Sequence, residues 1–150
     1  MAKFPLYMQP ENSDICGAMC LKMIASYYGL EVNVDELIHN TNKIERGVSM
    51  LELTTAAGKN GLKPVGIKIK SSQLNNSSFF PCIAHVNLFH FVVIYRVTKD
   101  LVYIADPSAG YLKKSIKQFE NIWLHKVEQM GKLLLIEPSS KKKMARSSRG

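Results

Sequence analysis

The sequence is poor in cysteine, in acidic side chains and in long apolar runs. Three cysteines in 150 residues are too few, and odd in number, for a disulfide scaffold, and they fit reduced thiols in a cytosolic setting. Acidic residues number 12 against 20 Lys and Arg, a formal charge of +8. Five of those positive charges lie in the segment SSKKKMARSSRG, residues 139–150, which leaves +3 on residues 1–138. Such a terminus buries no apolar area against its ordering entropy, so 139–150 is expected to be a flexible basic tail or linker after a body spanning 1–138. The longest near-continuous apolar stretch, 79–95, is interrupted by Pro81, His85, Asn87 and His90. It falls short of the ~20 apolar residues of a spanning helix. The opening Met-Ala-Lys-Phe-Pro has no apolar segment of signal-peptide length. Cys16 and Cys20 share a helix face, but no second ligand pair accompanies them, so no metal site is expected. Phosphate-cradling glycine loops are lacking. Aromatic and basic residues do not interleave along the chain, so no nucleic-acid partner is expected.

What is present is an ordinary globular composition, 46% apolar and 21% charged, at a length that suits one domain with a sizeable core. Cys16, Met19, Cys20, Met23, Ile24 and Tyr27 recur at helical spacing, with Asp14 or Ser13 to cap the helix and Gly29 to end it. A second short helix fits Val34 to His39, capped by Asn33. A third fits Ser49 to Lys59, opened by the capping box Ser49-x-x-Glu52. After Gly61 the period becomes that of strands: Val65 to Ile69, Ile83 to Val86, Phe91 to Val97, Val102 to Ala105 and Leu133 to Ile136, with a short helix over Ile116 to Ile122. Helices followed by an antiparallel sheet make an α+β domain.

Cys16 falls in the first turn of the first helix, where unpaired N–H groups and the positive dipole end favour a nucleophilic thiolate. Gly17 beside it lets a substrate backbone approach. A cysteine nucleophile needs a base and an orienting group. His90 opens one strand run and Asp106 ends the next. Counted from the turn at Lys99-Asp100, they become neighbours at one sheet edge if a bulge or stagger intervenes. Cys20 and Cys82 read as core thiols and His85 as a core histidine, while His39 and His125 read as surface. Gln9, upstream of the helix, has a side-chain amide suited to an oxyanion.

Together these segments resemble the peptidase domain of bacteriocin-processing ABC transporters. The likeness lies in Gln9, Asp14-Ile-Cys16-Gly-Ala-Met-Cys-Leu-Lys-Met-Ile, Tyr27-Tyr-Gly29, Pro81-Cys-Ile-Ala-His85-Val, His90-Phe-Val-Val and Ala105-Asp106-Pro107, in that order. It covers about residues 5–138. One departure is Ile15, which stands between the aspartate and the cysteine that adjoin in the family. The resemblance implies a papain-like cysteine protease fold, with Cys16 as nucleophile, His90 as base and then acid, Asp106 orienting His90, and Gln9 as oxyanion donor. It also implies a domain on the cytosolic face of the membrane, soluble by itself, that cuts precursors after a double-glycine motif. Its partners would be an amphipathic helical leader peptide and the transmembrane and ATPase domains of an exporter. ATP would serve only the ATPase part, and the peptidase domain would need no cofactor. A groove for the leader would involve Met50, Leu51, Leu53 and Thr54. Two other readings stay open: a docking domain that binds leaders without cutting them, and a papain-like hydrolase with another substrate.

Overall fold

A computed structural model describes residues 3–11, 15–39 and 49–139, with backbone only for 37–39. The cap candidates Ser13 and Asp14, the His39 side chain, and all of the basic tail beyond Ser139 lie outside the described residues. Helix α1 runs Cys16–Tyr27, α2 Val34–His39 and α3 Met50–Lys59. Strands β1 (Leu62–Ile69), β2 (Cys82–Val86), β3 (His90–Val97), β4 (Leu101–Asp106) and β5 (Gly110–Ser115) follow, then α4 (Ile116–Trp123) and β6 (Gly131–Pro138). The six strands form one antiparallel sheet in the order β1-β6-β2-β3-β4-β5.

Local chemistry fixes the helix ends. Glu52 N–H donates to Ser49 Oγ and Ser49 N–H to Glu52 Oε1, each at 3.1 Å, the reciprocal pair expected of a capping box. Ser115 and Gln118 repeat the device at α4, and Asn33 Oδ1 accepts from Glu36 N–H at 3.1 Å. Gly29 takes φ 78° just beyond α1. Its N–H donates to Ser26 O at 2.9 Å and that of Leu30 to Ala25 O at 2.8 Å. A left-handed glycine thus satisfies two carbonyls the helix would leave open.

The sheet is packed on both faces. On one, α1 and α3 bury Cys20, Leu21, Ile24, Leu53 and Ala57 against Ile83, Val93, Ala105 and Leu134. On the other, Phe119 and Trp123 of α4 pack on Val92, Ile94, Ile104 and Leu133. Strand β5 has no counterpart in the sequence reading. Gly-Tyr-Leu-Lys-Lys-Ser lacks a clean alternation because it is an edge strand with no fully buried side chain. Pro64 and the 47% exposed Val65 sit on β1, the opposite edge, where a missing ladder donor is tolerated. Among the described residues no helix is long and apolar enough to cross a membrane.

Candidate active site

Cys16 is the first residue of α1, at the end where backbone N–H groups lack helical partners. The residue is 8% exposed, and it is one of the groups that raise the pKa of the His90 ring. His90 and Asp106 come together because β3 carries an extra residue. Ile94 pairs with Ile104, but Arg96 rather than Tyr95 pairs with Tyr103. Both bulge residues face Tyr103, the Tyr95 ring at 6.2 Å and the Arg96 guanidinium at 4.8 Å. Without the bulge, Val93 would oppose Asp106 instead of Ala105. With it, His90 Nε2–H donates to Asp106 Oδ1 at 2.8 Å.

The same Oδ1 accepts from the Ser108 backbone N–H and hydroxyl, each at 2.8 Å, and the Ser108 hydroxyl also lies 3.3 Å from His90 Nε2. Burial alone would raise the Asp106 pKa. The bonds from His90 and Ser108 outweigh it and hold the carboxyl below its ordinary value. The Asp106 and Cys16 hydrogen bonds push His90 up to about 10 against the opposing effect of burial. The ring is therefore an imidazolium at neutral pH. With Nε2 committed to the carboxylate, Nδ1 is the nitrogen left for the thiol. Ser108 is absent from the sequence reading. Its signal is Asp-Pro-Ser, since an aspartate commonly bonds the backbone two residues on.

Gln9 reaches this place through an N-terminal segment laid across β3–β5. Phe4 stacks on Tyr95 at 5.0 Å, Tyr111 donates its hydroxyl proton to Phe4 O, and Gln9 N–H donates to Pro107 O at 2.8 Å. The spacer that carries the extra Ile15 includes residues 12–14, outside the described part.

The expected substrate residues divide. Leu53 is 1% exposed and belongs to the core, which removes it from any groove. Gly17 is buried too, and a Cβ there would stand 3.0 Å from both Leu53 methyls. Its small size serves the close approach of α1 to α3 rather than a substrate. Leu51 is 76% exposed, while Met50 and Thr54 are half-buried, the Thr54 hydroxyl donating to Met50 O at 2.9 Å.

Burial raises the pKa of both Cys20 and Cys82, and negative charge on Cys16 and Asp106 adds to the effect at Cys20. His85, stacked on Phe91 at 4.9 Å, is lowered by burial, partly offset by a hydrogen bond to the Leu88 backbone. It stays neutral at pH 7 and away from the thiol–imidazole pair. His125 is a surface residue whose Nδ1 accepts from the Val127 and Glu128 N–H groups. Folding does bring cations onto aromatic rings: Lys3 over Tyr111, Lys22 over Tyr7, Arg96 and Lys113 over Tyr103. Each cation covers a ring face that a base would need for stacking.

A consequence is selective thiol chemistry. Iodoacetamide at pH 7 is expected to modify Cys16 alone in the native protein, and all three cysteines after denaturation, as read by peptide mass spectrometry. Cys20 and Cys82 are buried and protonated, whereas Cys16 faces an imidazolium. Native labelling of Cys20 or Cys82 at a matching rate would contradict this arrangement.

Comparison with known proteins bears on the family. The lactococcin-G-processing and transport ATP-binding protein LagD of Lactococcus lactis subsp. lactis is 29% identical over 79% of the chain. The alignment spans 17% of that protein, so the chain corresponds to a small part of it. The crystal structure of a double glycine motif protease from an AMS/PCAT transporter, solved with its leader peptide, superposes with a TM-score of 0.81. It is 30% identical and covers 92% of this chain and 94% of that one. The peptidase domain of Streptococcus ComA, at 24% identity, shares the fold with a TM-score of 0.80 over 91% of this chain and all of that one. The family model described as "Peptidase C39 family" matches residues 3–141, nearly the whole chain, and the chain belongs to the peptidase C39 family.

Proposed function

We propose that this chain is a cysteine endopeptidase domain that removes leader peptides after a double-glycine motif, on the cytosolic side of an exporting ABC transporter. The observation that carries the reading is the His90–Asp106 pair, an imidazole held by a buried carboxylate at 2.8 Å, with the Cys16 thiol at a helix start among the groups that act on the ring. Its likeness to a processing-and-transport protein and to a leader-bound protease supports the substrate class.

The chemistry follows from the placement. Cys16 Sγ, beside imidazolium His90, attacks the carbonyl of the second glycine. The developing oxyanion takes hydrogen bonds from the Cys16 backbone N–H and the Gln9 amide. His90 gives its proton to the departing amine, and a thioester forms at Sγ. His90 then draws a proton from water, whose oxygen displaces the thiolate and frees the leader's carboxyl end. Asp106 keeps the ring oriented throughout and stabilises it in the steps where it carries the proton. No metal or cofactor enters these steps.

Two glycines before the cut mean a passage too narrow for a Cβ. Met8 and Phe89, exposed neighbours of Gln9 and His90, are suited to wall it. The leader's apolar helix face would rest on a surface that includes Leu51 and Met50. The partners are the precursor and the exporter's membrane and ATPase domains.

The test is to incubate the domain with precursor peptides and read the products by mass spectrometry. Cleavage is expected only after Gly-Gly, and replacing the second glycine by alanine is expected to lower kcat/KM by roughly 100-fold or more. Equal cutting of both peptides would point to a papain-like hydrolase of other specificity. Binding without any cutting would point to a docking domain.

A further inference from the structure

At the end of the sheet beside the segment that joins α4 to β6, the pairing of β1 with β6 sets Lys68 directly opposite Lys132. Like charges in that relation repel, and such a local conflict calls for an anion. Glu128 supplies one. Its two carboxylate oxygens lie 3.2 and 3.3 Å from Lys68 Nζ, and His125 stands 4.0 Å away on its other side. Lys132 has no carboxylate partner among the described residues. Continuing the β2–β6 register one step past Ala84↔Leu133 brings His85 beside it.

Lys68, Lys132 and Glu128 are exposed and His85 is half-buried, and all four gather at one hollow. Lys68, Lys132, His85 and Glu128 line a cavity of about 310 Å³ whose remaining walls include Leu88, Ile122, Trp123 and Leu124. The walls are held firmly. Trp123 Nε1–H donates to Lys132 O at 3.0 Å, its ring stacks on Phe119 at 5.2 Å, and a Cβ at Gly131 would lie 2.0 Å from it. The β2–β3 turn is tied to α4 by Asn87 N–H donating to Ile122 O at 2.8 Å. Charged groups on one side of a hollow and an apolar wall on the other suit a small amphiphilic molecule. None of Cys16, His90 and Asp106 lines it.

We propose that this cavity binds a small amphiphilic carboxylate, its anionic end between Lys132 and His85 and its hydrocarbon body against Trp123, Leu124 and Leu88. The charge identifies the anion, because Lys132 faces it unneutralised. The walls identify the apolar body, because a bare inorganic anion would leave them in contact with water.

Trp123 is the chain's single tryptophan, so its fluorescence reports occupancy in the intact protein. Titration at pH 7 with octanoate is expected to give a saturable change, and 1-octanol a change at least about tenfold weaker, reflecting the lost charge-assisted bond. Lys132→Met keeps the apolar stem and removes the charge. It is expected to weaken octanoate about tenfold, with circular dichroism unchanged. Lys99→Met, in the β3–β4 turn outside the cavity, is expected to leave the titration as it was. The proposal is overturned if octanoate gives no saturable change. It also fails if octanol matches octanoate, or if Lys132→Met has no more effect than Lys99→Met.

Discussion

Cys16→Ala is expected to abolish cleavage of a double-glycine precursor, lowering kcat by roughly 10⁴-fold or more, while leader affinity stays within about threefold. The asymmetry comes from where the sulfur sits. Cys16 is 8% exposed at the start of α1, so its contact with a substrate is confined to the reacting carbonyl. Leader contacts would fall on other elements, at residues such as Leu51 and Met50 on α3. Alanine is a better helix former than cysteine, and removing one sulfur from a position already at the core's margin leaves the helix in place. What disappears is the only group that can form the thioester. Two measurements separate the effects: product formation by mass spectrometry, and binding of a fluorescent leader by anisotropy. Cleavage within tenfold of the original would show that Cys16 is not the nucleophile. Cleavage and binding lost together would assign Cys16 to the fold or the groove.

The parts of this design that were legible in the sequence are those written in local chemistry. The capping box at Ser49, the glycine stop at Gly29 and the strand alternation after Gly61 each depend on residues a few positions apart, and the structure has them where the sequence places them. The approach of His90 to Asp106 was legible only in part. Their distances from the Lys99-Asp100 turn differ, so a bulge had to be assumed. Its location at Tyr95 depends on packing against Tyr103 and Phe4, which no local pattern encodes. Strand β5 escaped for the opposite reason: an edge strand with no deeply buried side chain carries no period-2 signal. Leu53 shows the limit of reading a helix face without its neighbours. Its i+3 relation to Met50 places it on a plausible groove stripe, yet α1 comes so close at Gly17 that the leucine is sealed inside. Lys132 illustrates the same limit for charge. In sequence it is one of many lysines, and only the β1–β6 register sets it against Lys68.

Asp106→Asn is the second large effect, and it separates charge from geometry. The carboxylate Oδ1 accepts three hydrogen bonds, from His90 and twice from Ser108, and an amide oxygen in its place can accept the same three. The turn and the ring position are therefore retained, while the negative charge is lost. Turnover is expected to fall by roughly 10²- to 10⁴-fold with KM changed by less than about threefold. The pH profile gives the sharper sign. His90 stands at about 10 because Asp106 and Cys16 favour its protonated form, so activity that needs the imidazolium persists in alkali and is lost as pH rises through about 10. In the variant the largest upward contribution is weakened, and the alkaline limb should move down by about one pH unit or more. Stability follows the same linkage. A raised His90 contributes fully below its ordinary 6.5 and loses that contribution as pH rises towards about 10. A lowered Asp106 contributes above its ordinary 3.8 and loses it as pH falls through its folded value. Because both shifts describe one pairing, Asp106→Asn should flatten the pH dependence of the melting temperature at both ends. A purely structural Asp106 would instead lower melting at every pH and leave the alkaline limb of kcat near 10.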